Sequence, residues 1–368
     1  MKILYVTTIS GTMGFFPEHI RMLQAAGHTV EMACNLTDPL PEKAAVLNCR
    51  TYHIDFSRNP VSPDNRKAYR QLKALLQQEQ YDIVHTHTPN ASMLVRLAAR
   101  KLRRQGLKVF YTCHGFHFYK GAPLKNWIFF YPVEWICAHF TDKLLTINGE
   151  DYALAKKHMH ACQVIHVHGV GFDSGKFKNL QTDRTAVRKN LGLTEGQLAL
   201  LSVGEVNRNK NHQVILRAIK KAGRPELQYF IAGCGDQEQP LKDLAQELGI
   251  SQQVHLLGYR TDVAQLYHAA DVCCFPTIRE GLGLAGLEGM ASGLPLLAAD
   301  NRGTRDYCID HVNSIVCQPM DADGFAEALI YFLDHPEERR IMAEKAQESV
   351  APFDTEAALR EMKDVYFS

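Results

Sequence analysis

The sequence has no apolar run that approaches the ~20 residues of a membrane-spanning helix. Its ten cysteines include no C-x-x-C pair, so nothing indicates a zinc or redox framework. Several of them, such as Cys34, Cys113 and Cys273, fall inside predicted strands, which favours buried thiols in a reducing cytoplasm. A net charge of +1 is too small for a protein devoted to binding nucleic acid.

The length of 368 residues indicates two domains rather than one core. Charge is divided unevenly between the two halves of the chain. Residues 1–175 carry 20 Lys+Arg and 13 Asp+Glu, whereas residues 176–368 carry 21 and 27. This asymmetry predicts that the first half faces something anionic.

Strand-like and helix-like segments alternate along the whole chain, which is typical of parallel α/β domains. Strands are predicted at 2–7, 29–34, 81–85, 108–113, 143–147, 163–167, 198–203, 227–232, 254–257, 271–275 and 294–299. Helices are predicted at 15–26, 64–79, 91–105, 126–140, 149–159, 211–222, 239–248, 262–269, 284–292, 321–333 and 355–366. Two doubly wound sheets of Rossmann type follow, and the glycine-rich segment 169–175 is the predicted linker.

The most informative segment, EGLGLAGLEGMASGLP at 280–295, places a glycine-rich turn between a predicted strand and a short helix. Glycines allow backbone N–H groups to approach a ligand, and a helix N-terminus favours negative charge, so the turn suits a phosphate. Glu280 and Glu288 flank it, and carboxylates suit hydroxyl donors instead. A bare pair of acids at this spacing is equally typical of a solvated helix. The glycines and flanking strands favour a site for a nucleotide sugar.

This block resembles the signature of the family-four retaining glycosyltransferases, which have the GT-B fold. The segments DIVHTHTPN, HGFHFYKGAP and SVGEVNRNKNH occur in the family's order. The resemblance implies an α/β protein with two Rossmann-like, doubly wound parallel-sheet domains facing a central cleft. Residues 1–175 would form the acceptor-side domain, with the C-terminal helix 353–368 packing back on it. Residues 176–352 would bind the nucleotide sugar.

The resemblance also implies roles for individual residues. Glu280 would orient the donor sugar and Glu288 would hold the ribose hydroxyls, while Lys210 and Arg208 would clamp the diphosphate. Glu205 stands where the family has its usual Arg, so Arg208 is the substitute candidate. The remaining donor-binding candidates are Gly14, Gly233, Tyr259, Arg260, Gly281, Leu282, Gly283 and Leu284; for Gly233, Tyr259 and Arg260 a purely structural turn is an equal alternative.

His114 follows a predicted strand and precedes a glycine, at the position of the family's His-Gly pair. A single histidine there is more often structural, and the resemblance favours a catalytic role beside the donor sugar. We expect a partly desolvated imidazole with a pKa near neutral. His117, Tyr119 and Lys120 in the same loop are candidates for the acceptor side.

The sequence predicts neither a metal site nor a cofactor. Several histidine pairs lie two residues apart, but no third ligand accompanies any of them. Asp321 and Asp323 resemble an acidic metal motif, yet they precede a predicted helix, where aspartate serves as a cap.

Both tryptophans of the chain lie in an aromatic segment at 120–140, close to a basic helix at 91–105. Aromatic side chains beside cations suit a peripheral membrane face. The alternative is that Trp127, Phe130 and Trp135 fill the core, and both interpretations remain open. We expect a cytoplasmic protein that associates peripherally with the inner face of the membrane.

The resemblance is strongest to bacterial enzymes that build capsule, exopolysaccharide or O-antigen units. It implies a metal-independent, retaining transfer of a hexose or N-acetylhexosamine from a nucleotide diphosphate sugar, with UDP preferred, to a polyprenyl-diphosphate-linked or glycan acceptor. Three alternatives remain: a GT-B nucleotide-sugar epimerase, a nicotinamide-dependent oxidoreductase that would lack its GxGxxG fingerprint, and a non-catalytic sugar-binding module. The sequence does not predict the oligomeric state.

Overall fold

A computed structural model describes residues 1–178 and 180–368. These residues form two compact units. Unit 1 comprises Met1–Gly171 together with Thr355–Ser368, and unit 2 comprises Phe172–Asp354. Each unit contains one parallel sheet, and the two sheets have seven and six strands.

The sheet of unit 1 has the strand order β3-β2-β1-β4-β5-β6-β7. Its strands are β1 (Lys2–Ile9), β2 (Thr29–Asn35), β3 (Thr51–His53), β4 (Ile83–Thr86), β5 (Lys108–Cys113), β6 (Lys143–Thr146) and β7 (Gln163–His166). The helices between them are α1 (Pro17–Ala25), α2 (Glu42–Ala45), α3 (Asp64–Glu79), α4 (Pro89–Ala99), α5 (Leu124–Ala138) and α6 (Gly149–His158). The turns Ser10–Phe15 and Leu102–Gln105 are 3-10 helices.

The sheet of unit 2 has the strand order β10-β9-β8-β11-β12-β13. Its strands are β8 (Leu198–Val203), β9 (Leu227–Ala232), β10 (Val254–Gly258), β11 (Val272–Phe275), β12 (Leu296–Ala299) and β13 (Ser314–Cys317). The helices are α7 (Gly175–Lys178), α8 (Arg184–Asn190), α9 (His212–Ala222), α10 (Glu238–Glu247), α11 (Val263–Ala269), α12 (Leu284–Ala291), α13 (Ala322–Asp334) and α14 (Pro336–Ser349). The last helix of the chain, α15 (Thr355–Phe367), belongs to unit 1.

The central strands form because they are short, nearly continuous apolar runs. Both faces of β8 and β9 are buried along almost their whole length, as expected for parallel strands covered by helices on both sides. Strand order reverses between β1 and β4 in unit 1, and between β8 and β11 in unit 2. Loops diverge at such a point and leave a crevice at the carboxyl ends of the strands, so these are the places where a ligand is expected.

Helix α15 is fixed to unit 1 by buried polar contacts. The Tyr366 hydroxyl donates to the Tyr5 hydroxyl at 2.9 Å, and Lys143 Nζ donates to the Val365 carbonyl at 2.7 Å. Gly171, with φ +76°, meets the start of the helix so closely that a Cβ would lie 2.8 Å from Thr355 Cα. The backbone at position 171 therefore packs against the start of α15 with no room for a side chain.

The predicted doubly wound α/β fold is confirmed. Two of the four edge strands, β3 and β13, lay outside the predicted segments. The helices α8 and α14 did so as well, as did the four-residue helices α2 and α7. The predicted helix 91–105 is in fact α4 followed by the separate 3-10 turn Leu102–Gln105. Within residues 1–178 and 180–368, no helix combines the length and apolar character needed to span a bilayer.

Candidate functional site

The glycine-rich turn of unit 2 connects β11 to α12 at the carboxyl edge of the sheet. Gly283 caps α12 with φ +94°, and a Cβ at this position would lie 2.7 Å from the Phe275 ring. Only glycine fits, because both the backbone conformation and the space exclude a side chain. The first N–H groups of α12 have no acceptor within the helix, so the turn presents donors and the positive end of the helix dipole.

Lys210 and Glu280 form an ion pair at the entrance of this turn. The distance from Nζ to Oε2 is 2.9 Å, and the side chains are 20% and 25% exposed. The ammonium also lies 5.4 Å from the centre of the Phe275 ring. Lys210 is positioned by Asn207, whose side chain accepts a hydrogen bond from the Lys210 backbone N–H at 3.0 Å. The structure therefore brings together two residues that lie seventy positions apart in sequence.

A second loop, after β12, supports the segment that carries Glu280. Asn301 donates to the Thr277 carbonyl at 2.8 Å and accepts from the N–H of Gly303 at 3.0 Å. The buried Arg302 donates through Nε to the Glu280 carbonyl at 3.3 Å. Asn301 and Arg302 are not among the predicted site residues; the signal that could have indicated them is a short polar segment, NRGT, directly after a predicted strand.

The other side chains predicted to bind the donor, Arg208, Arg260 and Tyr259, differ in their surroundings. Arg208 is exposed, in the same 3-10 turn as Lys210, and forms no ion pair with the residues that the structure describes. Arg260 is held by Asp262 through two hydrogen bonds of 2.7 and 2.5 Å. Tyr259 is 80% exposed. Arg208 is therefore available to a ligand, whereas Arg260 would first have to leave its carboxylate.

Backbone packing alone requires a glycine at position 233, independently of any ligand. A Cβ at this residue would lie 1.8 Å from the Gly204 carbonyl oxygen, because the loops after β8 and β9 cross in contact. Its N–H donates to the Gly258 carbonyl at 2.8 Å. The contact holds the loop that leads to Arg208 and Lys210, so Gly233 shapes the site whether or not it touches a ligand.

Glu288 lies one turn into α12 and is half-buried. Burial raises the pKa of its carboxyl to about 7, an effect that Lys176 partly opposes. Its side chain makes no hydrogen bond within the described residues. At neutral pH it is thus a partly ionised, unsatisfied acceptor, which suits the hydroxyl groups of a ligand.

Leu282 and Leu284 are the residues of the Gly281–Leu284 stretch that carry side chains. The Leu282 side chain is 5% exposed, and Leu284, the first residue of α12, is half-buried. Gly281 is half-buried as well. The buried Leu282 side chain leaves mainly the backbone of this stretch at the surface, and the donor-binding role of Gly281–Leu284 stays a prediction.

In unit 1, His114 follows β5 and is adjacent to His87, which follows β4. Their ring nitrogens Nε2 and Nδ1 are 3.4 Å apart. The His87 ring stacks on Phe16 with 4.0 Å between ring centres. Gly115, at φ +135°, turns the chain away directly after His114.

The expected near-neutral pKa of His114 is wrong. Burial, with a smaller contribution from nearby His19, lowers its pKa to about 4. Burial also lowers the pKa of His19 to about 4 and that of His87 well below its usual value. The cluster is uncharged at neutral pH, because an imidazolium there would lose its hydration without gaining an acidic partner.

Among the remaining unit 1 candidates, His117 lines a pocket of about 320 Å³, whereas Gly14, Tyr119 and Lys120 are not part of its lining. It is lined by Thr88 at the start of α4, by His117 and by Phe130 of α5, whose ring stacks on His117 at 4.6 Å. Tyr119 is half-buried and Lys120 is exposed, and the Lys120 N–H donates to Glu150 at 3.3 Å. Gly14 is buried against Pro41 and Lys43, where a Cβ would lie 3.2 Å from each side chain.

No three His, Cys, Asp or Glu side chains in residues 1–178 and 180–368 are grouped as metal ligands. Asp321 caps α13 by accepting from the N–H of Gly324 at 3.0 Å. Asp323 pairs with Lys221 at 2.6 Å. Both acids therefore have structural partners.

Two family descriptions match the chain, one in each half. Residues 183–349 match the Glycosyl transferases group 1 family, and residues 18–176 match Glycosyltransferase Family 4. The protein is 37% identical over 374 residues to EpsD of Bacillus subtilis (strain 168), which its name describes as a glycosyltransferase. That alignment covers 99% of this chain and 96% of EpsD.

A second relative and a solved structure extend the comparison. The chain is 26% identical to the UDP-Gal:alpha-D-GlcNAc-diphosphoundecaprenol alpha-1,3-galactosyltransferase of Escherichia coli, over 89% of this chain and 85% of the relative. The crystal structure of Anabaena HepE in complex with UDP superposes with a TM-score of 0.80 at 17% identity, covering 100% of this chain and 99% of HepE. The fold is therefore of the GT-B class.

Proposed function

The chain belongs to the family-four glycosyltransferases, and we propose that it is a retaining enzyme that transfers a hexose or N-acetylhexosamine from a UDP-sugar. The acceptor we propose is a polyprenyl-diphosphate-linked glycan in surface polysaccharide synthesis, which the name of the Escherichia coli relative supports. The HepE complex with UDP supports the choice of nucleotide.

The observation that carries the proposal is the Lys210–Glu280 pair at the glycine-rich turn. Lys210, Arg208 and the first N–H groups of α12 form a cationic, donor-rich surface where negative charge of a leaving diphosphate can be stabilised. Glu280 lies against the same ammonium, so a diphosphate bound to Lys210 would bring its sugar close to a carboxylate that accepts from hydroxyls.

In the proposed reaction, the bond between the anomeric carbon and the β-phosphate oxygen breaks. The acceptor hydroxyl attacks the anomeric carbon from the same face, and its proton passes to the departing diphosphate. Stereochemistry is retained without a covalent sugar–enzyme intermediate. No metal is needed, since Lys210, Arg208 and the helix N-terminus carry out the charge stabilisation.

Glu288 and His114 have supporting roles in this proposal. Glu288 holds ribose hydroxyls in its ionised form, and because burial raises its pKa to about 7, this form is lost as the pH falls below neutral. His114 acts as a neutral hydrogen-bonding group toward sugar hydroxyls, because its pKa of about 4 leaves it unprotonated. The pocket beside His117 and Phe130 is the proposed acceptor site.

The test is a transfer assay with a panel of UDP-sugars and an undecaprenyl-diphosphate-linked sugar, measuring UDP release and the extended product. Lys210→Ala should reduce transfer about a hundredfold, corresponding to the loss of a charge-assisted contact of ~3 kcal/mol. Lys242→Ala, an exposed lysine on α10, is the matched control and should retain full activity. Release of UDP with conversion of the sugar but no product on the acceptor would favour the epimerase alternative and contradict transfer.

A further inference from the structure

Four histidines are packed together in the interior of unit 1. His19, His85 and His87 are at most 3% exposed, and His114 is half-buried. The ring centres of His85 and His87 lie 4.2 Å apart, and those of His87 and His114 lie 5.6 Å apart. Burial lowers the pKa of all four rings below the neutral range, so each ring carries one proton, on Nδ1 or on Nε2. The position of this proton decides which nitrogen donates a hydrogen bond and which accepts one.

Hydrogen-bond partners fix the proton of His85. Its Nε2 lies 2.8 Å from the Thr112 hydroxyl, and its Nδ1 contacts the Tyr366 hydroxyl. Tyr366 donates its own proton to the Tyr5 hydroxyl, so it can only accept from His85. The His85 proton therefore lies on Nδ1, and Nε2 accepts from Thr112.

The two ring nitrogens of His87 have different surroundings. Its Nδ1 lies 3.4 Å from His114 Nε2, whereas its buried Nε2 has no hydrogen-bond partner in the part of the chain that the structure describes. Tyr5 and Phe16 stack on the His87 ring, with angles of 22° and 29° between the ring planes. A proton on Nε2 would lie in the plane of the imidazole, so it would point at neither of these stacked faces.

The proton of His87 therefore belongs on Nδ1. A proton on Nε2 would be a buried donor without an acceptor, which folded proteins avoid more strictly than an unused acceptor. A proton on Nδ1 leaves only a bare lone pair on Nε2, and it can be donated to His114. The separation of 3.4 Å is long for a hydrogen bond, a length common in sites that tighten when substrate binds.

We propose that His87 is a positioning residue that holds the proton of His114 on Nδ1. Because His114 Nε2 accepts from His87, the remaining proton of the neutral ring has to lie on the other nitrogen. Within the described residues His114 Nδ1 makes no hydrogen bond, so it is left to donate to a ligand. An imidazole in water prefers its proton on Nε2, and the fold therefore imposes the less common form.

The inference rests on the proposed function in naming the partner of this donor, an oxygen atom of the donor sugar. It also restricts what His114 can do in the reaction. Its Nδ1 already carries a proton and the lone pair of its Nε2 is used by His87, so the ring has no free site for the proton of the attacking hydroxyl. His114 is therefore a fixed hydrogen-bond donor and not a general base, which agrees with transfer of that proton to the departing diphosphate.

The first measurement is the position of the His114 proton, which requires no substrate. Long-range nitrogen–proton correlation spectra of the full chain with isotope-labelled histidine distinguish a protonated ring nitrogen from a bare one. The signals of His114 are identified by their loss in His114→Gln. The form with the proton on Nδ1 should exceed the other about tenfold, the equivalent of one buried hydrogen bond. A His114 proton on Nε2 would overturn the proposal.

The second measurement uses His87→Phe, which keeps a ring between Tyr5 and Phe16 but has no ring nitrogen. The His114 proton should return to Nε2, and kcat/KM for the UDP-sugar should fall about tenfold while the affinity for UDP, which has no sugar, is unchanged. The control His158→Phe changes an exposed histidine on α6 and should keep both the tautomer and the rate. An unchanged His114 tautomer in His87→Phe, or an equal loss of UDP affinity, would contradict the role of His87.

The two proposals fail separately, and the spectrum of the wild type decides the role of His87 even if His87→Phe does not fold. A wild type with the His114 proton on Nδ1 that transfers no sugar contradicts only the proposed function. A wild type that transfers sugar with this proton on Nε2 contradicts only the role of His87.

Discussion

Replacing Glu280 by glutamine should affect nucleotide binding and sugar transfer in opposite directions. In the free protein Lys210 pairs with Glu280 at 2.9 Å, and both side chains are partly exposed, so the pair contributes only about 1 kcal/mol. A bound diphosphate has to compete with this carboxylate for the ammonium. Removing the charge removes the competition, and UDP should bind about fivefold more tightly.

Transfer should fall in the same variant, because a neutral amide is a weaker acceptor for a sugar hydroxyl than a carboxylate. The loss of a hydrogen bond to a charged group is about 2 kcal/mol, or about thirtyfold in kcat/KM. Calorimetry with UDP and initial rates with the UDP-sugar measure the two effects. Glu247→Gln on α10 is the control and should change neither. If UDP affinity and kcat/KM of the Glu280 variant fall by the same factor, Glu280 acts on the nucleotide and the reasoning is refuted.

Three further predictions concern ionisation, backbone strain and a buried charge. Donor affinity should increase about tenfold from pH 6 to pH 8, because the raised pKa of Glu288, about 7, keeps its carboxyl protonated at the lower pH; calorimetry on Glu288→Gln should show no such dependence. Gly283→Ala should lower the free energy of unfolding, measured in urea, by about 3 kcal/mol, because the new Cβ clashes with Phe275 and the backbone has a positive φ. In the control Gly249→Ala, φ is +69° but nothing lies within contact of the new Cβ, so the loss should be only about 1 kcal/mol. Arg96→Met should destabilise by about 3–5 kcal/mol by leaving Glu134 unpaired, and adding Glu134→Leu should restore most of the loss; if the double variant unfolds as easily as the single one, the unpaired charge is not the cause.

The central strands could be predicted because their signal is local. Strands β8 and β9 each have six residues, of which all but Ser202 and Gln228 are apolar, and the observed bounds of both are the predicted ones. The edge strand β3 has only three residues, two half-buried and one exposed, so it carries no such signal. Helix α14 is polar around most of its circumference and buries little beyond Met342 and Ala346, so its periodicity is weak.

The site was less predictable, since its contacts depend on which loops meet. The residue types at Lys210 and Glu280 suggested a shared site, but not that they pair in the free protein. The pKa of His114 depends on its burial and on His19, which approaches from another element, and no local pattern reveals either. The orientation of α5 likewise required the position of Phe118, because the helix is apolar on both sides and its periodicity does not distinguish core from surface.

The most direct measurement of the central claim is transfer by the purified full chain from a UDP-sugar to an undecaprenyl-diphosphate-linked sugar, with the anomeric configuration of the product determined by NMR. One UDP should be released per sugar transferred, an α-linked donor should give an α-linked product, and activity should be undiminished in excess EDTA. Two results would contradict the proposed function. The first is that no UDP-sugar yields a product and UDP itself does not bind, and the second is a β-linked product from an α-linked donor.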